Sequence, residues 1–266
     1  MIETTPILSE HRIDSPQGCL FARCWTPQTP HPPTPIVLLH DSLGSVELWR
    51  NFPEALARAT QRRVIAYDRL GFGQSAPYPG TLPLDFIARE AEQGFAWLCE
   101  HLAIERFIVF GHSVGGGMAV HCAARYPERC LALITESAQA FVEDRTVEGI
   151  DAARQLFADP AQVDRLKRYH GDKARWVLDA WIESWLHPDF ADWSLRAVLP
   201  AVHAPLLAIH GVDDEYGSPR HPALLTELTG GPAQLALMPE TRHVPHRERE
   251  AEVIERVVDF LRHAGD

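Results

Sequence analysis

The chain has 266 residues, of which 45% are hydrophobic and 23% charged, a composition typical of a globular protein and unlike that of a disordered or fibrous chain. Its formal net charge of −11 opposes binding to phosphate backbones and anionic headgroups, and no apolar run approaches the roughly 18 residues of a membrane helix. We therefore expect no nucleic-acid partner and no membrane partner. The segment Met1–Ile13 lacks a basic region followed by an apolar one, which predicts a cytoplasmic protein.

The first predicted element is a hairpin over Arg12–Trp25 that turns at Ser15–Gly18, and a proline-rich connector over Pro27–Pro35 follows it. From residue 36 onward, short apolar runs rich in β-branched residues alternate with helical periodicity, which predicts an α/β fold with a parallel sheet flanked by helices. The predicted strands are Ile36–His40, Arg63–Asp68, Phe107–Gly111, Leu131–Thr135, Pro205–His210 and Gln234–Met238. Several of them lack apolar and polar alternation, as expected for strands buried on both faces.

Two apolar stripes at helical spacing predict helices that cover this sheet. The first stripe is Ile87, Ala91, Phe95, Leu98 and Leu102, and the second is Val253, Val257 and Phe260. The alternation of strands and helices stops after residue 138, and three consecutive helices are predicted instead, over Val147–Phe157, Pro160–Tyr169 and Lys173–Leu186. We interpret residues 139–200 as a helical cap inserted into a core formed by residues 1–138 and 201–266.

Neither the cysteines nor the cofactor motifs indicate a disulfide, a bound metal or a cofactor. The five cysteines include no CxxC pair, so neither a disulfide framework nor a metal site is predicted. No nucleotide or flavin motif is present, and we expect no cofactor. The sequence indicates no oligomeric state.

A predicted strand, a tight turn and a predicted helix meet at Ser113. The strand Phe107–Gly111 runs into Gly-His-Ser-Val-Gly, which is the context of a nucleophilic serine in the Gly-x-Ser-x-Gly pattern. Small residues are needed two positions before and after the serine so that strand and helix can pass closely, and Gly111 and Gly115 meet that need. We predict Ser113 as a nucleophile and the amide of Val114, at the helix N-terminus, as an oxyanion donor.

Three further motifs accompany this turn. They are Leu38–Gly44 after the first parallel strand, Tyr67–Ser75 after the next, and His210–Asp214 at the end of a late strand. Their order and spacing, together with Gly-His-Ser-Val-Gly-Gly, resemble the capped serine hydrolases of the α/β-hydrolase superfamily. The resemblance covers essentially the whole chain and implies an α/β-hydrolase fold with a helical cap and a serine–histidine–acid triad.

The resemblance also implies positions for the other two triad members, because in this fold the acid follows a late strand and the histidine precedes the last helix. The family's usual spacing implies Asp214 as the acid, with its neighbour Asp213 as the alternative. The His-x-x-x-x-Glu pattern of the family is met by His243 with Glu248, so His243 is the implied base. His246 is the alternative base, and otherwise a surface residue or one that supports the site.

The loop after the first parallel strand supplies the second oxyanion donor in this family, which implies the amide of Ser42, with its hydroxyl as a further candidate. Most relatives carry glycine where this chain has Asp41. This carboxylate would either perturb the base and repel a charged substrate, or cap its own loop. His40 and His112 are expected to be buried, hydrogen-bonded scaffold residues, and the stretch beginning at Asp68 is expected to shape a loop.

A serine nucleophile favours attack on a carbonyl, whereas relatives that open epoxides or displace halide use aspartate. We predict hydrolysis of an ester or lactone of a small, mostly apolar substrate, in a pocket that includes Asp41, Leu43, Trp181 and Trp185. Two alternatives stay open. One is a carbon–carbon bond hydrolase of the meta-cleavage type, and the other is a hydrolase-like ligand receptor with slow turnover.

Overall fold

The structure is a computed structural model that describes residues 5–29, 32 and 34–264. Its strands are β1 (Ile7–Ile13), β2 (Leu20–Thr26), β3 (Ile36–Leu39), β4 (Val64–Asp68), β5 (Phe107–His112), β6 (Cys130–Glu136), β7 (Leu206–Gly211) and β8 (Ala233–Met238). They form one sheet in the order β1-β2-β4-β3-β5-β6-β7-β8. β1 and β2 pair antiparallel to their neighbours, and β3 to β8 run parallel to one another.

The strands predicted from the sequence are confirmed, each to within a residue at either end. The predicted hairpin is confirmed as well, since Ile13 pairs with Leu20 and the amide of Gly18 closes the turn by donating to the Ser15 carbonyl at 3.2 Å. The beginning of Met1–Ile13 and part of the Pro27–Pro35 connector lie outside the described residues.

The central strands are buried on both faces because helices cover the sheet on each side. On β3, Val37 and Leu39 pack into one apolar core, and Ile36 and Leu38 pack into the other. The first core is covered by α2 (Phe86–Arg89), α3 (Gly94–His101), α4 (Val114–Arg125) and α8 (Arg220–Leu228), and the second by α1 (Phe52–Thr60) and α10 (Glu250–Ala264). The predicted α/β class, a mostly parallel sheet flanked by helices, is therefore confirmed.

One predicted covering helix is interrupted. The apolar stripe from Ile87 to Leu102 predicts a single helix, but α2 and α3 are separate. The turn between them is wider than an α-helical turn, since the amide of Phe95 donates to the carbonyl of Glu90 at 3.1 Å, five residues back rather than four. The side chain of Glu90 accepts the hydroxyl of Tyr67 at 2.6 Å. The stripe still faces the core, so the apolar periodicity survives the break in the backbone.

The segment between β6 and β7 is helical, as predicted. Its helices are α5 (Asp144–Leu156), α6 (Pro160–His170) and α7 (Ala174–Trp185). The two ends of the segment meet at an isolated bridge between Phe141 and Ser194, beside which the amide of Leu195 donates to the carbonyl of Ala140 at 2.8 Å. The division into a core and a cap over residues 139–200 stays a prediction.

No helix among the described residues is long and apolar enough to span a bilayer. The cysteines are all free thiols, four of them buried and Cys19 partly exposed. Burial raises the pKa of Cys24 and of Cys99 to about 11, so these thiols stay protonated at neutral pH, as expected for structural cysteines.

Candidate active site

Ser113 occupies the sharp turn between β5 and α4. Its backbone has φ 55° and ψ −124°, a conformation that strains a residue with a side chain. A Cβ atom on Gly111 would lie 2.1 Å from the carbonyl oxygen of Gly115, and one on Gly115 would lie 2.2 Å from the carbonyl oxygen of Leu39. Both glycines are therefore needed for strand and helix to approach so closely.

His243 joins Ser113 to Asp214. Its Nε2 lies 3.0 Å from Ser113 Oγ, and its Nδ1 lies 2.9 Å from each carboxylate oxygen of Asp214. The side chain of His243 is 11% exposed and that of Asp214 is fully enclosed. The structure thus brings together the three residues that the sequence names as nucleophile, base and acid.

Asp214 is held in its ionised form. Two backbone amides donate to its Oδ1, that of Tyr216 at 2.8 Å and that of Gly217 at 3.2 Å. Burial acts to raise the pKa of Asp214, but the adjacent His243 and these hydrogen bonds outweigh burial and lower it below the ordinary value. An ionised acid fixes the hydrogen of His243 on Nδ1 and leaves Nε2 as an acceptor toward Ser113.

The alternatives for acid and base lie elsewhere. Asp213 is exposed to solvent. His246 is buried, and its Nδ1 lies 2.5 Å from Glu136 Oε2 while its amide donates to Glu136 Oε1 at 2.7 Å. His246 is therefore not a surface residue, and it fits the interpretation that it supports the site.

Glu248 shapes the loop that carries His243. Its carboxylate accepts the amide of Arg242 at 2.9 Å and the amide of Val244 at 3.2 Å, one residue to either side of the histidine. α9 (Pro245–Glu248) follows at once. The His-x-x-x-x-Glu spacing thus has a physical reason, since a glutamate five residues on can close this loop over its own backbone.

The loop that follows β3 lines the same cavity as Ser113. Asp41 Oδ1 accepts the amide of Leu43 at 3.0 Å, which is the loop-capping contact that the sequence left open. Ser42 stands between them and also lines the cavity. Val114 is the first residue of α4, where an amide has no partner within its own helix. Ser42 therefore shares the cavity wall with Ser113, and Val114 follows Ser113 in the chain; their roles as oxyanion donors stay a prediction.

His40 and Asp68 are scaffold residues, as predicted. Nδ1 of His40 donates to the carbonyl of Asp41 at 2.8 Å, and its Nε2 accepts the amide of Arg69 at 3.2 Å. The carboxylate of Asp68 accepts the amides of Val46 and Gln74, each at 2.7 Å. These side chains tie neighbouring loops together and do not line the cavity.

A cavity of about 140 Å³ contains Ser113 and His243 in its wall. The four pocket residues named from the sequence, Asp41, Leu43, Trp181 and Trp185, all line it. The other lining residues are Ser42, Gln139, Thr146, Ile150 and Tyr216. The wall therefore combines apolar surface with one carboxylate, and no lysine or arginine is among these lining residues.

The sequence analysis does not predict four of the lining residues, which are Gln139, Thr146, Ile150 and Tyr216. Gln139 Oε1 lies 3.3 Å from Ser113 Oγ, and the ring of Tyr216 lies 4.8 Å from that of His243. A positional signal existed, since Gln139 and Tyr216 closely follow the carboxyl ends of β6 and β7, the edge of a parallel sheet at which ligand sites gather.

One buried cluster offers ligand atoms of the kind that metals bind. Side-chain atoms of His112, Glu136 and His246 lie within 4.8 Å of one another. These atoms already pair within the protein, because His246 Nδ1 contacts Glu136 and His112 Nε2 lies 2.8 Å from the carbonyl oxygen of His243. The three side chains are therefore hydrogen-bonded within the protein.

The chain resembles known proteins over most of its length. It is 28% identical over 233 residues to the serine hydrolase BPHL of Mus musculus, a match that covers 85% of this chain and 78% of that protein. It is 30% identical over 252 residues to the dihydrolipoyllysine-residue acetyltransferase component of the acetoin cleaving system of Pseudomonas putida, and the match covers 86% of this chain but only 64% of the relative.

Among solved structures, the 2-hydroxy-6-oxo-6-phenylhexa-2,4-dienoate hydrolase of Rhodococcus sp. strain RHA1 has the same fold, with a TM-score of 0.80 at 19% identity over 97% of this chain and 100% of that one. The model of the family described as alpha/beta hydrolase fold matches residues 34–180, which is more than half of the chain. The chain therefore belongs to the alpha/beta hydrolase family.

Proposed function

We propose that this chain is a serine hydrolase that cleaves a carboxylic ester or lactone of a small, mostly apolar substrate through an acyl-enzyme on Ser113. His243 serves as general base, Asp214 orients it, and the amides of Ser42 and Val114 stabilise the oxyanion. The observation that carries the proposal is the continuous path of hydrogen bonds from Asp214 through His243 to Ser113 Oγ, over distances of 2.9 and 3.0 Å.

The acylation step follows from the tautomer of His243. As Ser113 Oγ bonds to the substrate carbonyl carbon, its proton moves to His243 Nε2 and the electron pair of the carbonyl moves to its oxygen. That oxyanion faces the amides of Ser42 and Val114. When the tetrahedral intermediate collapses, the bond to the leaving oxygen breaks and Nε2 returns the proton to it, so that an alcohol leaves or, from a lactone, stays attached to the acyl group.

Deacylation repeats these transfers with water. His243 takes one proton from the water, whose oxygen attacks the acyl carbon, and returns that proton to Ser113 Oγ as the acid is released. Gln139, whose side-chain amide is 3.3 Å from Oγ, lies close enough to contact groups that react there. The cycle consumes one water and needs no cofactor.

The wall of the cavity supports a neutral acyl group. Leu43, Ile150 and Trp181 supply apolar surface, and the carboxylate of Asp41, whose side chain is 23% exposed, is no partner for an anionic acyl group. The same lining residues also help to decide between ester or lactone hydrolysis and the carbon–carbon hydrolase alternative. The substrate named for the structurally similar hydrolase is a dienoate, which brings a carboxylate, and no cationic side chain is among the lining residues. Ester or lactone cleavage is therefore ranked first.

The test is labelling of the purified chain with a fluorophosphonate, followed by hydrolysis of 4-nitrophenyl esters and of small lactones. Ser113→Ala should abolish labelling, and Ser113→Ala and His243→Ala should each lower turnover by several orders of magnitude. Asp213→Asn is the matched control, because this exposed neighbour of Asp214 should leave turnover unchanged.

Steady turnover distinguishes an enzyme from a receptor of the same fold. A burst of one product per chain, followed by almost no turnover with every ester and lactone, would favour a ligand receptor. Cleavage of a dienoate faster than that of any ester would favour the carbon–carbon hydrolase. Unchanged turnover in Ser113→Ala would remove Ser113 as the nucleophile.

A further inference from the structure

His112 connects the segments that carry the proposed catalytic groups. It immediately precedes Ser113, is 1% exposed, and plays no part in the proton transfers described above. Its Nε2 lies 2.8 Å from the backbone carbonyl oxygen of His243, and its Nδ1 lies 3.4 Å from Oδ2 of Asp41. One imidazole ring therefore joins three segments. They are the loop after β3 that carries Asp41 and Ser42 (the oxyanion loop), the turn that carries Ser113, and the loop that carries His243.

The partners of the two ring nitrogens indicate the protonation state of His112. A carbonyl oxygen can only accept a hydrogen bond, so Nε2 of His112 carries a hydrogen. An ionised carboxylate can also only accept, so a bare Nδ1 would place its lone pair against Oδ2 of Asp41. The two atoms lie 3.4 Å apart, a contact that is repulsive without a proton between the groups and attractive with one. Because Asp41 Oδ1 accepts the amide of Leu43 at 3.0 Å, the carboxylate is stabilised as the anion and the proton belongs on Nδ1.

The charged groups around the ring agree with a cation. Asp41 faces it from the oxyanion loop and Glu136 from the end of β6, while the rings of His243 and His246 lie 5.2 and 5.0 Å away. Burial acts to lower the pKa of His112, but the two carboxylates outweigh burial and raise it. Burial acts to raise the pKa of Asp41, and the contact with His112, assisted by Arg247, lowers it instead.

We propose that His112 is a positioning residue held as an imidazolium, which with Asp41 fixes the oxyanion loop and the loop of His243 relative to Ser113. This inference rests on the proposed function. It also gives a role to Asp41, whose carboxylate is the negative partner of a charged His112, while Nε2 of the same ring contacts the carbonyl oxygen of His243. Loss of either partner frees two loops at once, and displacements of about 1 Å can cost about 10²-fold in rate.

The first test measures the ring directly. The protein is labelled with ¹⁵N-histidine, and the resonances missing from His112→Gln identify this ring among the 14 histidines. At pH 6.5, the ordinary pKa of histidine, both ring nitrogens of His112 should be protonated in most of the molecules. An unprotonated Nδ1 at this pH, or titration of the ring at or below pH 6.5, overturns the proposal whether or not any ester is hydrolysed.

The second test uses kinetics. Asp41→Asn and His112→Gln should each lower kcat on a neutral 4-nitrophenyl ester by about 10²-fold, with KM within about threefold, and the double variant should be little worse than either single one because they remove the same ion pair. The kcat of the wild type should fall at alkaline pH as His112 loses its proton, and His112→Gln should lack that decline. Asp213→Asn is the control and should behave as wild type.

The outcomes separate this inference from the proposed function. If Ser113 reacts with a fluorophosphonate in the wild type and both variants react equally fast, the positioning role fails while the hydrolase assignment stands. If the wild type neither reacts nor turns over, the proposed function fails, and the ¹⁵N measurement still decides whether His112 is a cation.

Discussion

The two sides of Ser113 are built differently. On the cavity side, Trp181 and Trp185 bound an open space of about 140 Å³. On the rear side, His112, Glu136 and His246 are buried and joined to one another or to the backbone by hydrogen bonds. Apolar walls tolerate changes of shape, whereas loss of the partner of a buried polar group strongly destabilises the folded protein. Substitutions on the two sides should therefore have different effects, the cavity side on substrate choice and the rear side on stability and on the positioning of the loops around Ser113.

The largest effect is expected from Glu136→Ala on the rear side. This change leaves the Nδ1 and the amide of His246 without the carboxylate that accepts from them at 2.5 and 2.7 Å, and each buried donor left unpaired costs about 1–3 kcal/mol. Denaturant unfolding should show the loss. Glu252→Ala, at an exposed carboxylate paired on the surface of α10, is the control and should cost less than about 1 kcal/mol. A Glu136→Ala protein as stable as the control would contradict the comparison.

A smaller effect of a different kind is expected from Trp181→Ala on the cavity side. The indole is half-buried and lines the cavity, so its removal should enlarge the acyl site. The ratio of kcat/KM for a long against a short 4-nitrophenyl ester should rise about tenfold, which corresponds to about 1.4 kcal/mol. Trp176→Ala, on the same helix but outside the cavity wall, should leave the ratio unchanged. An unchanged ratio in Trp181→Ala would show that this wall does not select the acyl group.

The smallest effect is the pH dependence of stability that the rear side imposes. Burial acts to raise the pKa of Glu136, but His246 and His112 lower it below the ordinary value of 4.5. A carboxylate with a lowered pKa in the folded state stabilises the fold above its unfolded pKa, and that contribution, about 1.4 kcal/mol for each pKa unit, is lost as the pH falls through the folded pKa.

The free energy of unfolding should therefore decline as the pH falls below 4.5. Denaturant unfolding from pH 7 to pH 3 should show a shallower decline for Glu136→Gln than for the wild type, since the amide does not titrate. Parallel curves for the two proteins would show that Glu136 contributes nothing to the acid sensitivity.

The cavity side was the more predictable one. Ser113 is indicated by the glycines two positions before and after it, because strand and helix approach too closely there for a Cβ atom. Asp214 and His243 follow from the chain order and spacing of the family. The strands are local runs of apolar residues, and their bounds could be predicted to within a residue.

On the rear side, the sequence predicts that His112 is a buried scaffold residue, but it does not predict the pairing of His246 with Glu136. Glu136 and His246 are 110 positions apart, and neither belongs to a pattern of neighbouring residues that would indicate the other. Gln139 escaped for a related reason, because its contact with Ser113 depends on how β6 lies beside β5. At the break between α2 and α3, Glu90 accepts the hydroxyl of Tyr67, a tertiary contact that the local apolar period does not reveal.

The helical segment leaves and rejoins the rest of the chain at one place, where Phe141 pairs with Ser194 and the amide of Leu195 meets the carbonyl of Ala140 at 2.8 Å. A segment with adjoining ends can be lengthened, shortened or exchanged without moving the strands on which Ser113, Asp214 and His243 depend. Since α7 brings Trp181 and Trp185 to the cavity, such an exchange would alter the shape of the cavity and, under the proposed function, the acyl groups that fit. Substrate range and chemistry can thus diversify independently in this architecture.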